Sequence, residues 1–295
     1  LLIFCQKKHA CLSARLPARQ GRQGKSMLFD YPTFVAFDVH ILKRPKAEED
    51  YSDSLLAKAL QVFNLMDESE KESLAHNIIV VTQGFIDGGV GEAKDYKKTF
   101  LRKLELYKDI DANTLRKNLS FFLNEILPVA EENGIKMCLH PDDPPFPVLG
   151  LPRIAGTKED YEWIMQQNNS VANGITFCSG SLSSRSDNNL IDFLNVLGEK
   201  VHFAHLRNTT VLNEDGSFCE SGHLEGGADM PKIVELLHDE MRRRRDSGME
   251  NHQIPMRPDH GLKLKEDLNI ASNPGYSYHG RVQGLAEISE LEKGL

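Results

Sequence analysis

The chain has 295 residues, 40% hydrophobic and 26% charged, with 22 glycines and 13 prolines. These values are typical of a globular protein, so they exclude a collagen-like, coiled-coil or wholly disordered chain, and the length allows two ordinary domains or one large barrel. No segment approaches the ~18 consecutive apolar residues of a membrane-spanning helix, so we expect no membrane partner. The net charge of -8 provides no basic surface for DNA or RNA, and we expect no nucleic-acid partner.

Residues 1–25 form a basic segment without any acidic residue. This composition overlaps with that of an organelle transit peptide, but the start at Leu1 favours a translated flank over a targeting signal. We therefore expect residues 1–25 to lie outside the fold and residues 26–295 to form one catalytic domain.

The five cysteines lie far apart along the chain and include no CxxC pair. An odd number at wide spacing is not typical of a disulfide framework, so the pattern favours a reducing, cytoplasmic compartment. We assign Cys138 and Cys219 to the apolar core, because a buried free cysteine usually acts as a small hydrophobic residue.

Five short apolar runs each end in a polar or reactive residue, and we predict that each run is a buried strand. They span residues 33–40, 135–140, 174–178, 200–205 and 254–259. Helical periodicity lies between them, at residues 115–133, 160–172, 188–197 and 230–245. Strands that alternate with helices predict a parallel sheet with right-handed crossovers, and therefore an α/β fold.

The segment between the first two runs is about three times longer than the roughly 30 residues of a crossover unit. We predict a helical insertion at about residues 46–115, with helices at 52–66, 68–77 and 96–107. A glycine-rich loop at residues 84–91 separates the last two of these helices.

The last four runs end in His140, Cys178, His205 and Asp259. A parallel α/β barrel places its catalytic groups at the carboxyl ends of its strands, so we expect these four side chains to meet there. Two imidazoles, a thiolate and a carboxylate form a ligand set for a divalent transition metal, and the carboxylate suits Mn or Fe. Each residue alone is equally consistent with an ordinary core position, and only the conjunction favours a metal site.

Several arginines lie in the loops that follow these strands, and Arg185, Arg207 and Arg257 are the candidates for binding substrate. Ordinary salt bridges would explain each of them. Beside a metal, however, a guanidinium fork is well suited to hold a substrate carboxylate in a bidentate pair.

Seven motifs make the chain resemble a known family, the mannonate dehydratases of hexuronate breakdown. They lie at residues 40–45 (HILKRP), 104–111 (LELYKDID), 140–145 (HPDDPP), 149–154 (LGLPRI), 256–261 (MRPDHG), 273–277 (NPGYS) and 280–286 (GRVQGLA). The motifs are long and particular, and the resemblance runs from about residue 24 to about residue 287.

The resemblance implies a xylose-isomerase-like (β/α)8 TIM barrel that binds Mn2+, or Fe2+, and forms a homo-oligomer. Its activity is the dehydration of D-mannonate to 2-keto-3-deoxy-D-gluconate in glucuronate catabolism. The family's metal ligands fall on His140, Cys178, His205 and Asp259, in agreement with the strand ends. Its acid/base pair falls on His260 and Tyr276, and His223 matches a segment that contacts substrate.

The chain departs from the family at its start. Members of the family carry roughly a hundred more residues there, holding the first three of the eight strands that close such a barrel. The five runs would then be strands four to eight, with the helical insertion after strand four. We expect a chain without the first strands to fold poorly or to be inactive alone, because it exposes a sheet edge and apolar interior positions.

Two alternative functions remain open at this level. A sugar isomerase or epimerase of the xylose-isomerase-like group uses a similar metal at the same barrel face, although the cysteine ligand and the Pro-Asp-His-Gly motif suit the dehydratase better. The other alternative is an inactive truncated fragment that serves at most in an interaction.

Overall fold

The computed structural model describes residues 24–81, 95–272 and 275–295. Within these ranges the α-helices are α1 Tyr31–Ala36, α2 Asp53–Leu65, α3 Glu68–His76, α4 Tyr96–Glu105, α5 Ala112–Glu132, α6 Lys158–Gln166, α7 Ser179–Ser183, α8 Leu190–Leu197, α9 Met230–Asp246 and α10 Tyr278–Lys293. The strands are β1 Gly24–Lys25, β2 Leu28–Phe29, β3 Met137–Leu139, β4 Asn173–Cys178, β5 Val201–Leu206, β6 Thr209–Val211, β7 Phe218–Glu220, β8 Met256–Pro258 and β9 Lys263–Leu264.

The centre of the fold is a four-stranded parallel sheet in the order β3-β4-β5-β8. Helices connect consecutive strands: α6 lies between β3 and β4, α8 between β4 and β5, and α9 between β5 and β8. Sequential neighbours joined by helices are the mark of an α/β fold, so the predicted class and four of the five predicted strands are confirmed.

The first predicted strand, at residues 33–40, is wrong, because this segment is helical. Asp30 caps α1 by accepting the backbone N–H of Thr33 at 3.0 Å, and Pro32 fits the first helical turn. The helix continues as a π-helical segment, Phe37–Leu42. Side chains from Pro32 to Asp38 are buried on every side, so the run is continuously apolar and its pattern cannot distinguish a helix from a buried strand.

The helical segment predicted at residues 46–115 therefore precedes the parallel sheet and does not interrupt it. Its three predicted helices are observed as α2, α3 and α4, each within one or two residues of the expected bounds. A short 3-10 helix, Ala47–Asp50, precedes them, and a π-helical segment, Asn77–Val81, extends α3. The predicted glycine-rich loop at residues 84–91 lies outside the described residues.

Two small antiparallel sheets join the beginning of the described chain to its later parts. β2 pairs with β7, which also pairs with β6, and β1 pairs with β9. Residues 24 and 25, which we expected outside the fold, are therefore in a strand. Residues 1–23, the rest of that segment, lie outside the described residues.

Two hydrophobic clusters hold these elements together. The larger one packs Ile175 and Phe177 of β4 and Leu206 of β5 against the helices that cover the sheet, including Leu127 of α5 and Val234 of α9. The smaller one is rich in aromatic rings, with Phe29 and Phe218 stacked at a centroid distance of 5.2 Å across β2 and β7. Since burial of each such side chain contributes roughly 1.5–3 kcal/mol, both clusters stabilise the fold.

The two cysteines that we assigned to the core have different environments. Cys219 is buried, as expected, whereas Cys138 is exposed, so its assignment to the core is wrong. Cys138 lies on β3, the edge strand of the parallel sheet, and the described residues leave its face of that strand open.

Within the residues that the structure describes, no helix is long and apolar enough to cross a bilayer.

The arginine run at residues 242–245 lies at the end of α9, where positive charge is favourable at the negative end of the helix dipole. Arg244 is the buried member of this run. Its buried guanidinium donates to the backbone carbonyl groups of Gly198, Glu199 and Val201 at 2.9–3.2 Å and to Glu240 at 2.7 Å. Arg244 thus ties the end of α9 to the start of β5.

Candidate metal centre

The buried thiol of Cys178 lies at the carboxyl end of β4, between two imidazoles. His140 directly follows β3, and His205 lies in β5, so the three residues come from three adjacent strands. One ligand atom of each residue lies within 4.8 Å of the others, which makes them a group able to hold a metal ion. The structure thus brings these three predicted side chains together.

Charge within this group favours the thiolate. Burial alone would raise the pKa of Cys178, but hydrogen bonds to His140 and His205 lower it from 9.0 to about 5. Burial would likewise lower the pKa of His140, yet its hydrogen bond with Cys178 raises it from 6.5 to about 9. At neutral pH the metal-free protein therefore holds a Cys178 thiolate in contact with a His140 imidazolium.

The orientation of His140 suits a metal ligand. Its Nδ1 lies 2.7 Å from the carbonyl oxygen of Pro141, which can only accept, so Nδ1 carries the proton. The other nitrogen, Nε2, then points into the group and lies 3.2 Å from Nδ1 of His205. Two imidazole nitrogens that each bind one ion at roughly 2.1 Å have about this separation, so the pair fits a shared ion. A backbone acceptor behind a ligating histidine is a common arrangement in metal sites.

Asp259, the fourth predicted ligand, follows β8 and is buried beside the group. Its Oδ2 lies 3.9 Å from Nδ1 of His205, and its Oδ1 accepts from Arg257 at 2.8 Å. Burial would raise the pKa of Asp259, but His260, His205 and the nearby arginines hold it below its usual value. All four predicted residues thus lie at the carboxyl edge of the parallel sheet, with Asp259 next to the three-residue group.

His260 and Tyr276 lie together on the side of Asp259. Their rings meet edge to face at a centroid distance of 5.2 Å, and Nε2 of His260 is 3.8 Å from Oδ2 of Asp259. The guanidinium of Arg281 lies over the Tyr276 ring at 5.4 Å. Burial and the charge of Asp259 raise the pKa of Tyr276, so its hydroxyl keeps its proton at neutral pH.

A buried ion-pair network lies under this site. Arg207, 1% exposed, is paired with Asp143 through Nη1 and with Glu220 through Nε, the latter at 2.8 and 3.0 Å. Ser181 connects the network to the thiol, because its hydroxyl lies 3.1 Å from Asp143 and 3.2 Å from Cys178 Sγ. Arg207 was predicted to bind substrate, and in the structure two carboxylates hold its buried guanidinium.

The other predicted substrate contacts differ in accessibility. Arg257 is partly exposed and lies beside Asp259, whereas Arg185 is paired with Asp187 and donates to the carbonyl oxygen of Pro145. His223 is buried, with its ring against Gly284 of α10. The structure therefore brings Arg257 to the metal group, whereas Arg185 and His223 contact other parts of the protein.

Comparison with known proteins decides the family. The family model for D-mannonate dehydratase (UxuA) matches residues 20–295. Mannonate dehydratase 1 of Agrobacterium fabrum is 44% identical over 283 residues, and mannonate dehydratase of Saccharophagus degradans is 41% identical over 278 residues. The chain belongs to the mannonate dehydratase family.

A solved structure adds a likeness in fold. The crystal structure of mannonate dehydratase from Streptococcus suis serotype 2 superimposes with a TM-score of 0.55 and 34% sequence identity, over 63% of this chain and 50% of that one. The alignments cover 95% and 94% of this chain but only 68% and 67% of the Agrobacterium and Saccharophagus proteins. The chain thus spans about two thirds of the curated relatives and half of the solved one.

Glu220 is the site residue that sequence reasoning missed. It ends β7, a strand of three residues that gave no recognisable apolar run, and its partner Arg207 lies on a different element. The available signal was an acidic residue directly after the apolar pair Phe218 and Cys219, since a buried carboxylate needs a charged partner.

Proposed function

We propose that this chain dehydrates D-mannonate to 2-keto-3-deoxy-D-gluconate, a step in the breakdown of hexuronates, and that it is not the inactive fragment of the alternative expectation, because its residues bring the predicted side chains together. One observation carries the proposal: in a member of the mannonate dehydratase family, Cys178, His140 and His205 converge at the sheet edge beside His260 and Tyr276. The reaction needs a bound cation and two proton-transfer groups, and this edge supplies residues suited to each.

We assign the metal ligands to His140, Cys178 and His205, with Asp259 as the fourth. The mixed set of imidazole, thiolate and carboxylate suits Mn2+ or Fe2+. When bound, such an ion stabilises the negative charge that develops on the carboxylate end of the substrate. Because the thiolate must stay reduced, the cytoplasm is the compartment that we propose.

His260 and Tyr276 divide the proton transfers between them. The proton on the carbon next to the carboxylate must be removed, and the hydroxyl at the next carbon must be protonated as it leaves. The two rings are in contact, so a single bound substrate can reach both. Tyr276, whose hydroxyl keeps its proton, and His260 then work on adjacent carbon atoms.

Arg257 is the residue that we propose as the substrate's carboxylate anchor. It is partly exposed, and its Nη2 is already oriented by Asp259 at 2.8 Å. A guanidinium in this place can pair with a carboxylate that enters beside the metal group. Contacts of Arg185 and His223 with substrate stay predictions.

The family also suggests how the parallel sheet is completed. We propose that β3, β4, β5 and β8 are consecutive strands of a (β/α)8 barrel, since they are parallel, sequential and covered by helices on one face. The site lies at the carboxyl ends of these strands, the face at which barrel enzymes carry their catalytic groups.

Product formation tests the proposal. Purified chain with Mn2+ and a thiol reductant should convert D-mannonate to 2-keto-3-deoxy-D-gluconate. Cys178→Ser should abolish the conversion, whereas Cys138→Ser, at an exposed cysteine outside the metal group, should leave it intact. Equal rates for the two variants, or an absence of product from the unmodified chain, would contradict the proposal.

A further inference from the structure

Glu220 is a fully buried carboxylate whose ionised state the surrounding protein enforces. It is 2% exposed and ends β7, and its backbone N–H donates to the carbonyl oxygen of Met27 at 2.9 Å. Burial alone would raise the pKa of Glu220, but Arg207 and His260 lower it. A charge buried so deeply is tolerated only with close partners, so its contacts define what it does.

The carboxylate of Glu220 contacts two charged or titratable side chains, those of Arg207 and His260. Arg207 donates from Nε to both carboxylate oxygens, at 2.8 and 3.0 Å, and fixes the plane of the carboxylate. The same oxygen that lies closest to Arg207, Oε1, is also 3.0 Å from Nδ1 of His260. Arg207 is itself held by Asp143, which ties this arrangement to the metal side of the site through Ser181.

The protonation state of His260 follows from its partner. An ionised carboxylate has only acceptor sites, so Nδ1 of His260 must be the donor in this hydrogen bond. The other ring nitrogen, Nε2, then lies on the opposite edge of the ring, 3.8 Å from Oδ2 of Asp259 and toward the metal group. In this orientation Nε2 is the atom that can exchange a proton with a substrate.

We propose that Glu220 is the positioning residue of the acid/base histidine, holding His260 in the Nδ1–H form with Nε2 directed at the substrate, and that Arg207 holds Glu220 in place. The inference rests on the proposed function for the role of His260 in catalysis. It does not depend on that function for the protonation state of the ring, which is a property of the protein alone. Carboxylates behind catalytic or metal-binding histidines act in this way in unrelated enzymes.

Glu220→Gln is the informative variant, because it keeps the shape of the side chain and removes one acceptor. The amide oxygen should stay at the Oε1 position, where it can accept from both Arg207 and His260, but it carries no charge. The amide should therefore stabilise the Nδ1–H form, and the imidazolium formed when Nε2 takes up a proton, less than the carboxylate does. We expect kcat to fall by about 100-fold, with KM changed by no more than about threefold.

Asp38→Asn is the matched control. Asp38 is also fully buried, and its carboxylate is held by Arg44 at 2.7–3.1 Å and by the hydroxyl of Tyr51 at 2.6 Å. The variant should lower stability in the same way as Glu220→Gln but keep kcat. A loss of kcat in both variants to the same extent would assign the effect to folding and overturn the positioning role.

Nitrogen-15 NMR of histidine-labelled protein reads the ring directly. The His260 signals are identified by their loss in His260→Gln, and the spectra are recorded above the pH at which the ring loses its charge. The proposal predicts the Nδ1–H form in the unmodified chain and a shift toward the Nε2–H form in Glu220→Leu, which leaves Nδ1 without its carboxylate acceptor. An Nε2–H form in the unmodified chain, or an unchanged ring in the variant, would overturn it. If the chain makes no product but the NMR result holds, the proposed function fails and the positioning by Glu220 stands.

Discussion

Nε2 of His140 and Nδ1 of His205 lie 3.2 Å apart, although β4 separates β3 from β5. Cys178 ends β4, and one ligand atom of each of the three residues lies within 4.8 Å of the others. Two nitrogens and a thiolate are thus brought together by three neighbouring strands of one sheet.

Removal of one imidazole should weaken metal binding. We expect His205→Ala to lower the affinity for Mn2+ by at least about tenfold. Loss of a metal ligand should weaken binding at least as much as loss of a residue that only supports a ligand. The control is His202→Ala, on the same strand, with its ring against Gly174 and outside the metal group. Equilibrium dialysis with metal analysis measures both affinities. Equal affinities for the two variants would remove His205 from the site.

Metal binding should release protons in a pH-dependent way. The metal-free protein holds a thiolate at Cys178 above a pKa of about 5 and an imidazolium at His140 below a pKa of about 9. At pH 7.5 His140 therefore has a proton to lose and Cys178 does not, so binding of Mn2+ should release the proton of His140 and none from Cys178. His140 should release none well above pH 9. Calorimetry in two buffers of different ionisation enthalpy measures the number of protons released, and a release that does not fall between pH 7.5 and pH 10 would contradict the imidazolium at His140.

Arg257 should contribute mainly to substrate binding. Arg257→Ala removes the proposed carboxylate anchor, and we expect KM for D-mannonate to rise about tenfold, which corresponds to the loss of about 1.4 kcal/mol. Arg257→Lys should recover only part of this, because an ammonium cannot form the bidentate pair. Steady-state kinetics of the two variants checks this. A fall in kcat with unchanged KM would assign Arg257 to the chemical step instead.

Arg244 should stabilise the fold without affecting the site. Arg244→Ala leaves three backbone carbonyl groups without their charged donor, so we expect the free energy of unfolding to fall by about 2–3 kcal/mol. Arg243, one residue earlier, pairs with the same Glu240 from an exposed position. Arg243→Ala should therefore change stability far less than Arg244→Ala does. Urea unfolding of both variants measures the difference, and similar losses would show that the carbonyl contacts contribute little.

The parallel sheet could be predicted because its strands are short apolar runs bounded by polar residues. The same rule failed at residues 33–40, where a helix buried on every side produces the same continuous pattern. Cys138 was assigned to the core, but the local pattern could not show that its face of β3 is open. Whether an apolar residue is buried depends on which elements pack against it, and a local pattern does not contain that information.

The candidate site was predictable to the extent that its residues end strands. His140, Cys178, His205 and Asp259 were found in this way, and three of them converge as one metal group. Arg207 and Glu220 show what the pattern lacks. Their pairing joins β7 to the loop after β5, and only the folded chain reveals that Arg207 already has two buried carboxylate partners.

The absorption spectrum of the Co2+-loaded chain tests the metal site most directly. Co2+ accepts the same imidazole and thiolate ligands, and a thiolate bound to it gives an intense near-ultraviolet charge-transfer band. If Cys178 is a ligand, this band should appear in the unmodified chain and in Cys138→Ser and should be lost in Cys178→Ser. A band that persists in Cys178→Ser, or never forms, would contradict the assignment of Cys178 as a metal ligand.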